Sequence, residues 1–91
     1  MIKGKTKTGF AFEIDERVKN DWRLISNIAL AESDNISERV KGTAALVSLL
    51  LGKNEKKFME HISKINDGYI PMDAVMNELV DMIQNTEEIK N

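Results

Sequence analysis

Residues 1–15 read MIKGKTKTGFAFEID, and how this stretch pairs decides the fold. Thr8, Phe10, Phe12 and Ile14 alternate with Gly9, Ala11 and Glu13. That period of two sets two phenylalanines and an isoleucine on one face of a strand. A lone strand leaves a row of backbone groups unpaired. The segment is therefore expected to form a hairpin turning at Gly4 or Gly9, or to pair with another chain. Lys3, Lys5 and Lys7 would keep its edge charged. Beyond Asp15 the apolar spacing turns helical. The expected fold class is mainly α: an N-terminal β-strand or hairpin over 1–14, a bundle of about four short helices over 15–86, and a frayed tail over 87–91.

Each helix has its own signals. Asp15 stands where an N-cap should, with Glu16 in the first turn. Val18, Trp22, Ile25 and Ala29 then form a stripe flanked by Leu24, Ile28 and Ala31, and Ser33-Asp34-Asn35 closes it. Asn35 or Ser37 caps a second helix carrying Val40, Ala44, Val47 and Leu50, joined by Leu46 and Leu51. The small residues Gly42 and Ala45 admit a close neighbour, and Gly52 is placed as a C-terminal cap. This helix is apolar nearly all round and is expected to be central. Asn54 opens a third helix with Phe58, Met59, Ile62 and Ile65. A fourth starts near Pro71, whose missing N–H is harmless in a first turn, and carries Met72, Val75, Met76, Leu79, Val80 and Ile83. Short connections favour antiparallel neighbours.

The chain of 91 residues suits one small domain. At this size a domain buries roughly 60–65% of its unfolded surface, a modest core. Four apolar helix faces exceed what it can cover, which points to a protein-binding or oligomerising role. The composition, 42% hydrophobic and 31% charged, excludes a disordered chain. A net charge of −2 gives no general field for nucleic acid. The charge is uneven: residues 1–8 carry three lysines and no acid, whereas 73–91 carry Asp73, Glu78, Asp81, Glu87 and Glu88 against Lys90. Two solvated ends are the simplest reading of that polarity. With no cysteine, no secretion signal and no apolar run near the roughly 20 residues of a membrane span, the chain is expected in a cytoplasm.

Catalytic and metal chemistry find little support. The run NDGYIPMD over 66–73 looks like half of a calcium loop. With Gly68 as the sixth position, however, Ser63, Ile65 and Ala74 fall at the first, third and twelfth, where oxygen ligands are required. A tight turn is the better reading. His61 is the sole histidine and lacks partners at a zinc spacing. No nucleophile elbow or P-loop is present. The chain is expected to be no enzyme, with no catalytic residues, metal, cofactor or small-molecule ligand. Lys3, Lys5 and Lys7 beside Phe10 and Phe12 are too few for a nucleic-acid surface. Trp22 is expected as a core anchor, or as an interface hot spot. Met72, Met76 and Met82 suit either a core or an adaptable binding face.

The order GKTKTGFAFEIDERVKNDWRLI, an apolar helix ending LLLG, KFMEHI and DGYIPMDAVMNEL resembles the small tail assembly chaperones of long-tailed phages and prophages of Gram-positive bacteria. The resemblance runs from about Gly4 to Leu79. It rests on Gly9, Phe10, Phe12, Ile14, Asp21, Trp22, Gly68, Ile70 and Pro71, while the loop 32–37 has no counterpart in the pattern. It implies a non-enzymatic helical protein of the bacterial host cytoplasm that coats the tape-measure protein and helps recruit tail-tube subunits. It also implies a longer frameshifted product of the same gene. Homo-oligomers would fit; nucleic acid and membrane are not implied. The candidate protein-binding residues are Phe10, Phe12, Trp22, Tyr69, Met72 and Met76. The alternative is a small regulatory protein-binding module of phage or host origin.

Overall fold

The structure is a computed structural model. It describes residues 1–90, with the side chains of 1–85; the frayed tail expected over 87–91 otherwise lies outside the described residues. Strands β1 (Ile2–Lys5) and β2 (Ala11–Ile14) form an antiparallel hairpin in the register Ile2↔Ile14, Gly4↔Phe12. The helices are α1 (Trp22–Ala31), α2 (Ile36–Leu51), α3 (Glu55–Ile65) and α4 (Met72–Lys90). The molecule is thus mainly helical with an N-terminal hairpin.

Gly9 makes the hairpin turn. Its N–H donates to the Thr6 carbonyl at 2.9 Å, and the Thr6 N–H to the Phe10 carbonyl at 2.9 Å. This is the three-residue loop whose last position is left-handed, and Gly9 adopts φ +98° there. The hairpin's inner face, Ile2, Phe10, Phe12 and Ile14, is buried. Phe10 meets Phe58 of α3 edge-on, with ring centroids 5.3 Å apart.

The helices enclose the hairpin rather than forming a regular bundle. α2, α3 and α4 supply Leu46, Val47, Leu50, Phe58, Ile62, Val75, Leu79 and Met82 to the same core as Phe12 and Ile14. α1 packs chiefly along α2. Their crossing is close because Gly42 lacks a side chain. A Cβ there would lie 2.5 Å from the Ala31 backbone nitrogen and 2.8 Å from the Asn27 carbonyl oxygen.

Three sequence expectations change. First, Asp15 caps not a long helix but a 3₁₀ turn over Glu16–Asn20, and Asp21 then caps α1. The motif Asp-x-Arg occurs at both starts. Each aspartate accepts from the backbone N–H two residues on and pairs with the arginine there, Arg17 or Arg23. Second, the inward stripe of α1 is the buried Leu24 and Ala31 with the half-buried Ile28, and Trp22, Ile25 and Ala29 turn outward. Restarting the helix at Asp21 sets its rotation, and Trp22 is 74% exposed, so it is no core anchor. Third, Val40 and Ala44 of α2 are exposed, whereas Gly42, Thr43, Leu46, Val47, Leu50 and Leu51 are buried.

Asn35, not Ser37, caps α2, accepting from Glu38 N–H at 3.0 Å. A short 3₁₀ turn, Gly52–Asn54, leads into α3. The 66–73 run is a chain reversal. Asp67 and Gly68 both adopt positive φ, +55° and +89°, and the Gly68 N–H donates to the Ser63 carbonyl at 2.8 Å, satisfying an end of α3.

Candidate protein-binding surface

The hairpin loop is fastened to the last helix by a set of polar side chains. Glu78 and Asp81 of α4 are 4% and 9% exposed. The Glu78 Oε1 accepts from the Thr6 hydroxyl and from the Thr8 hydroxyl, both at 2.8 Å. The Asp81 Oδ2 accepts from the Lys7 backbone N–H at 2.7 Å. Thr6 in turn accepts from the Phe10 N–H at 3.0 Å. Buried carboxylates need such donors, because an unpartnered charge in a core is costly. The acids read as a solvated end are therefore partly internal, and the acidic face of α4 meets the lysine-bearing hairpin within one chain.

His61 completes the set, with Nε2 2.9 Å from the Thr8 Oγ1. The single Thr8 proton is given to Glu78, so the contact requires His61 to donate from Nε2. The Thr8–His61–Glu78 cluster orients the loop. The Phe10 ring covers the imidazole at 5.5 Å. The only sequence signal for this cluster was that Glu78 falls within the apolar spacing Val75–Leu79–Met82. Nothing in the sequence matched it to Thr6 and Thr8.

The second feature is apolar and outward-facing. Trp22 and Ile25 of α1 are 74% and 56% exposed, and Ala29 continues their line. One helical step around α1, Ile28 and Ala31 line a groove of about 240 Å³ against Leu46 of α2 and Met76, Leu79, Val80 and Ile83 of α4. Ile25 and Ile28 are i,i+3 neighbours, so the ridge and the groove share an edge.

The six candidate residues separate into distinct places. Phe10 and Phe12 are core residues, and what little surface they keep lines a groove beside the hairpin. Trp22 stands on the α1 ridge. Tyr69, 72% exposed, lies in the α3–α4 connection beside the half-exposed Ile70. Met72 and Met76 are half-buried at the start of α4; Met76 Sδ accepts from the Thr43 hydroxyl at 3.0 Å and lines the groove. Trp22 and Met76 thus border the ridge and groove.

No helix among the described residues is long and apolar enough to cross a membrane, and no group of three or more His, Cys, Asp or Glu among them is placed to hold a metal ion. No protein-family model matches the chain, and neither a curated protein nor a solved structure matches it.

Proposed function

We propose that the chain is a non-enzymatic tail assembly chaperone that binds the tape-measure protein during phage tail morphogenesis in the bacterial cytoplasm. The observation that carries this reading is the ridge of Trp22, Ile25 and Ala29 bordering the α1–α4 groove. An amphipathic helix presents anchors at i, i+3, i+4 and i+7, and such a helix laid in a groove is a recurrent mode of protein recognition. A tape-measure protein is expected to be long and helical, so several copies would bind along it. Trp22 is the natural hot spot, since tryptophan is enriched among residues that dominate binding energy. Met76 supplies an adaptable wall. The resemblance of the ordered sequence segments supports the same reading, and tail-tube subunits would be the second contact.

The test is co-expression with the tape-measure protein of the same genome. The chaperone should raise the soluble yield of that protein and co-purify with it. Trp22→Ala should cut the recovered complex by about tenfold, which corresponds to roughly 1.4 kcal/mol. Neither a gain in solubility nor co-purification would end this reading.

A further inference from the structure

The hairpin carries a surface of its own, lined by residues separate from those of the α1–α4 groove. The sheet among the described residues has two strands only, so β2 keeps an edge without a partner strand. The Thr6–Phe10 hydrogen bond fixes the alternation. Gly4 with Phe12 and Ile2 with Ile14 form the hydrogen-bonded pairs, and the N–H and C=O groups of Ala11 and Glu13 therefore point away from β1. Beside this edge lies a groove of about 450 Å³ with Phe12 and Leu51 in its floor and Lys3, Lys53 and Lys57 along its walls. Only Glu13 opposes them in charge, and Lys3 already pairs with it at 3.5 Å. Lys53 and Lys57 have no ion-pair partner among the described residues. The first turn of α3 opens here without a side-chain cap at Asn54, and the positive end of its dipole adds to the field.

We propose that the β2 edge and the groove beside it dock an extended acidic segment of a partner protein, which adds as a third strand. The backbone groups of Ala11 and Glu13 would hold the strand by main-chain hydrogen bonds. An apolar side chain of the segment would reach the floor between Phe12 and Leu51, and its carboxylates would meet Lys53 and Lys57. The charge selects the occupant. A second copy presenting the same edge would set its own Lys53 and Lys57 against these, and like charges in close contact disfavour that pairing. The chaperone reading is not required, because that surface lies on α1 and α4.

The test uses a fluorescein-labelled octapeptide alternating valine and glutamate, followed by anisotropy on the full chain. Saturable binding is expected. Lys53→Glu combined with Lys57→Glu should weaken it at least about tenfold, through lost charge complementarity; both side chains are exposed, and an unchanged circular dichroism spectrum confirms that the variant folds. Replacing two central valines of the peptide by proline should weaken binding as much, because proline lacks the ladder donor. Amide exchange at Ala11 and Glu13 should slow in the presence of the unsubstituted peptide. Equal binding of the proline peptide would overturn strand addition. Equal binding of an oligothymidylate of the same charge would reduce the site to a general polyanion surface. A dimer in light scattering that the lysine reversals abolish would assign the edge to self-association. Absence of saturable binding would dispose of the site.

Discussion

Removing the Glu78 carboxylate should cost more than removing any exposed charge of the chain. Glu78→Ala deletes an acceptor that takes two hydroxyl donors at 2.8 Å and is 4% exposed. Hydrogen bonds to a charged group contribute about 1.5–3 kcal/mol each. The two share one oxygen and Thr8 is partly solvated, so the lower figure applies to both, about 3 kcal/mol together. The buried Thr6 hydroxyl would then keep only the longer contact to Thr8 Oγ1, at 3.3 Å. For a domain of this size each kcal/mol shifts the melting temperature by roughly 4–8 °C, so a fall of about 12–24 °C is expected. Glu78→Gln retains an acceptor oxygen without the charge and should cost about 1 kcal/mol. Urea unfolding followed by far-ultraviolet circular dichroism is the suitable assay, because Trp22, exposed when folded, reports unfolding poorly. Thr6→Val should be costly alone and nearly silent in the Glu78→Ala background, as partners in one network are not additive. A Glu78→Ala protein within about 0.5 kcal/mol of the parent would refute the argument, since that is the range of ordinary surface substitutions.

Three further outcomes follow from named contacts. Gly42→Ala should destabilise by about 1–3 kcal/mol, since the new methyl group meets backbone atoms of α1 that cannot give way; this outweighs the roughly 1 kcal/mol helix-propensity gain of alanine, and thermal melts decide it. Trp22→Ala should leave stability within about 0.5 kcal/mol, and a large loss would mean that the indole packs inward. Asp15 and Asp21 are held down to about 2 from 3.8, first by the side-chain hydrogen bonds of Arg17 and Arg23 and then by the backbone N–H groups. A carboxylate depressed in the folded state contributes stability that is present above its ordinary pKa of 3.8 and lost as pH falls through about 2. Carboxyl titration by NMR should place both midpoints near the lower value; Arg17→Gln and Arg23→Gln should each return their own aspartate toward 3.8, with little effect on global stability because the pairs are exposed.

The hairpin was legible because three large apolar residues, Phe10, Phe12 and Ile14, alternate with small or polar ones, and a period of two admits few other readings. The positions of α2, α3 and α4 followed from runs of i,i+3,i+4 spacing and from punctuation at Asn35, Gly52 and Asp67-Gly68. The rotation of α1 was not legible. Two overlapping stripes, one through Trp22 and one through Leu24, fit the helical period equally well. The choice was made by the Asp21 cap and by the fit of Gly42 against Ala31, a contact between residues in different helices. The polar set was equally hidden. A threonine three residues before a glycine has many uses, and only the placement of α4 beside β1 gives Glu78 its donors. For the candidate binding surface, the type of residue was readable and its side of the molecule was not. Phe10 and Phe12 have the character of contact residues, but the core uses them.

The contacts between Thr6, Lys7 and Thr8 and the acids of α4 tie together positions 70 to 74 residues apart. A two-stranded hairpin is marginal by itself, so it has no lasting shape until α4 packs beside it. Folding must close a loop spanning 70 positions, from Thr8 to Glu78, before the hairpin turn is held, which slows the final step. Once closed, the hairpin and α4 should open as one cooperative unit in hydrogen exchange. Whatever tugs on the β2 edge is then felt at Glu78, at the other end of the sequence.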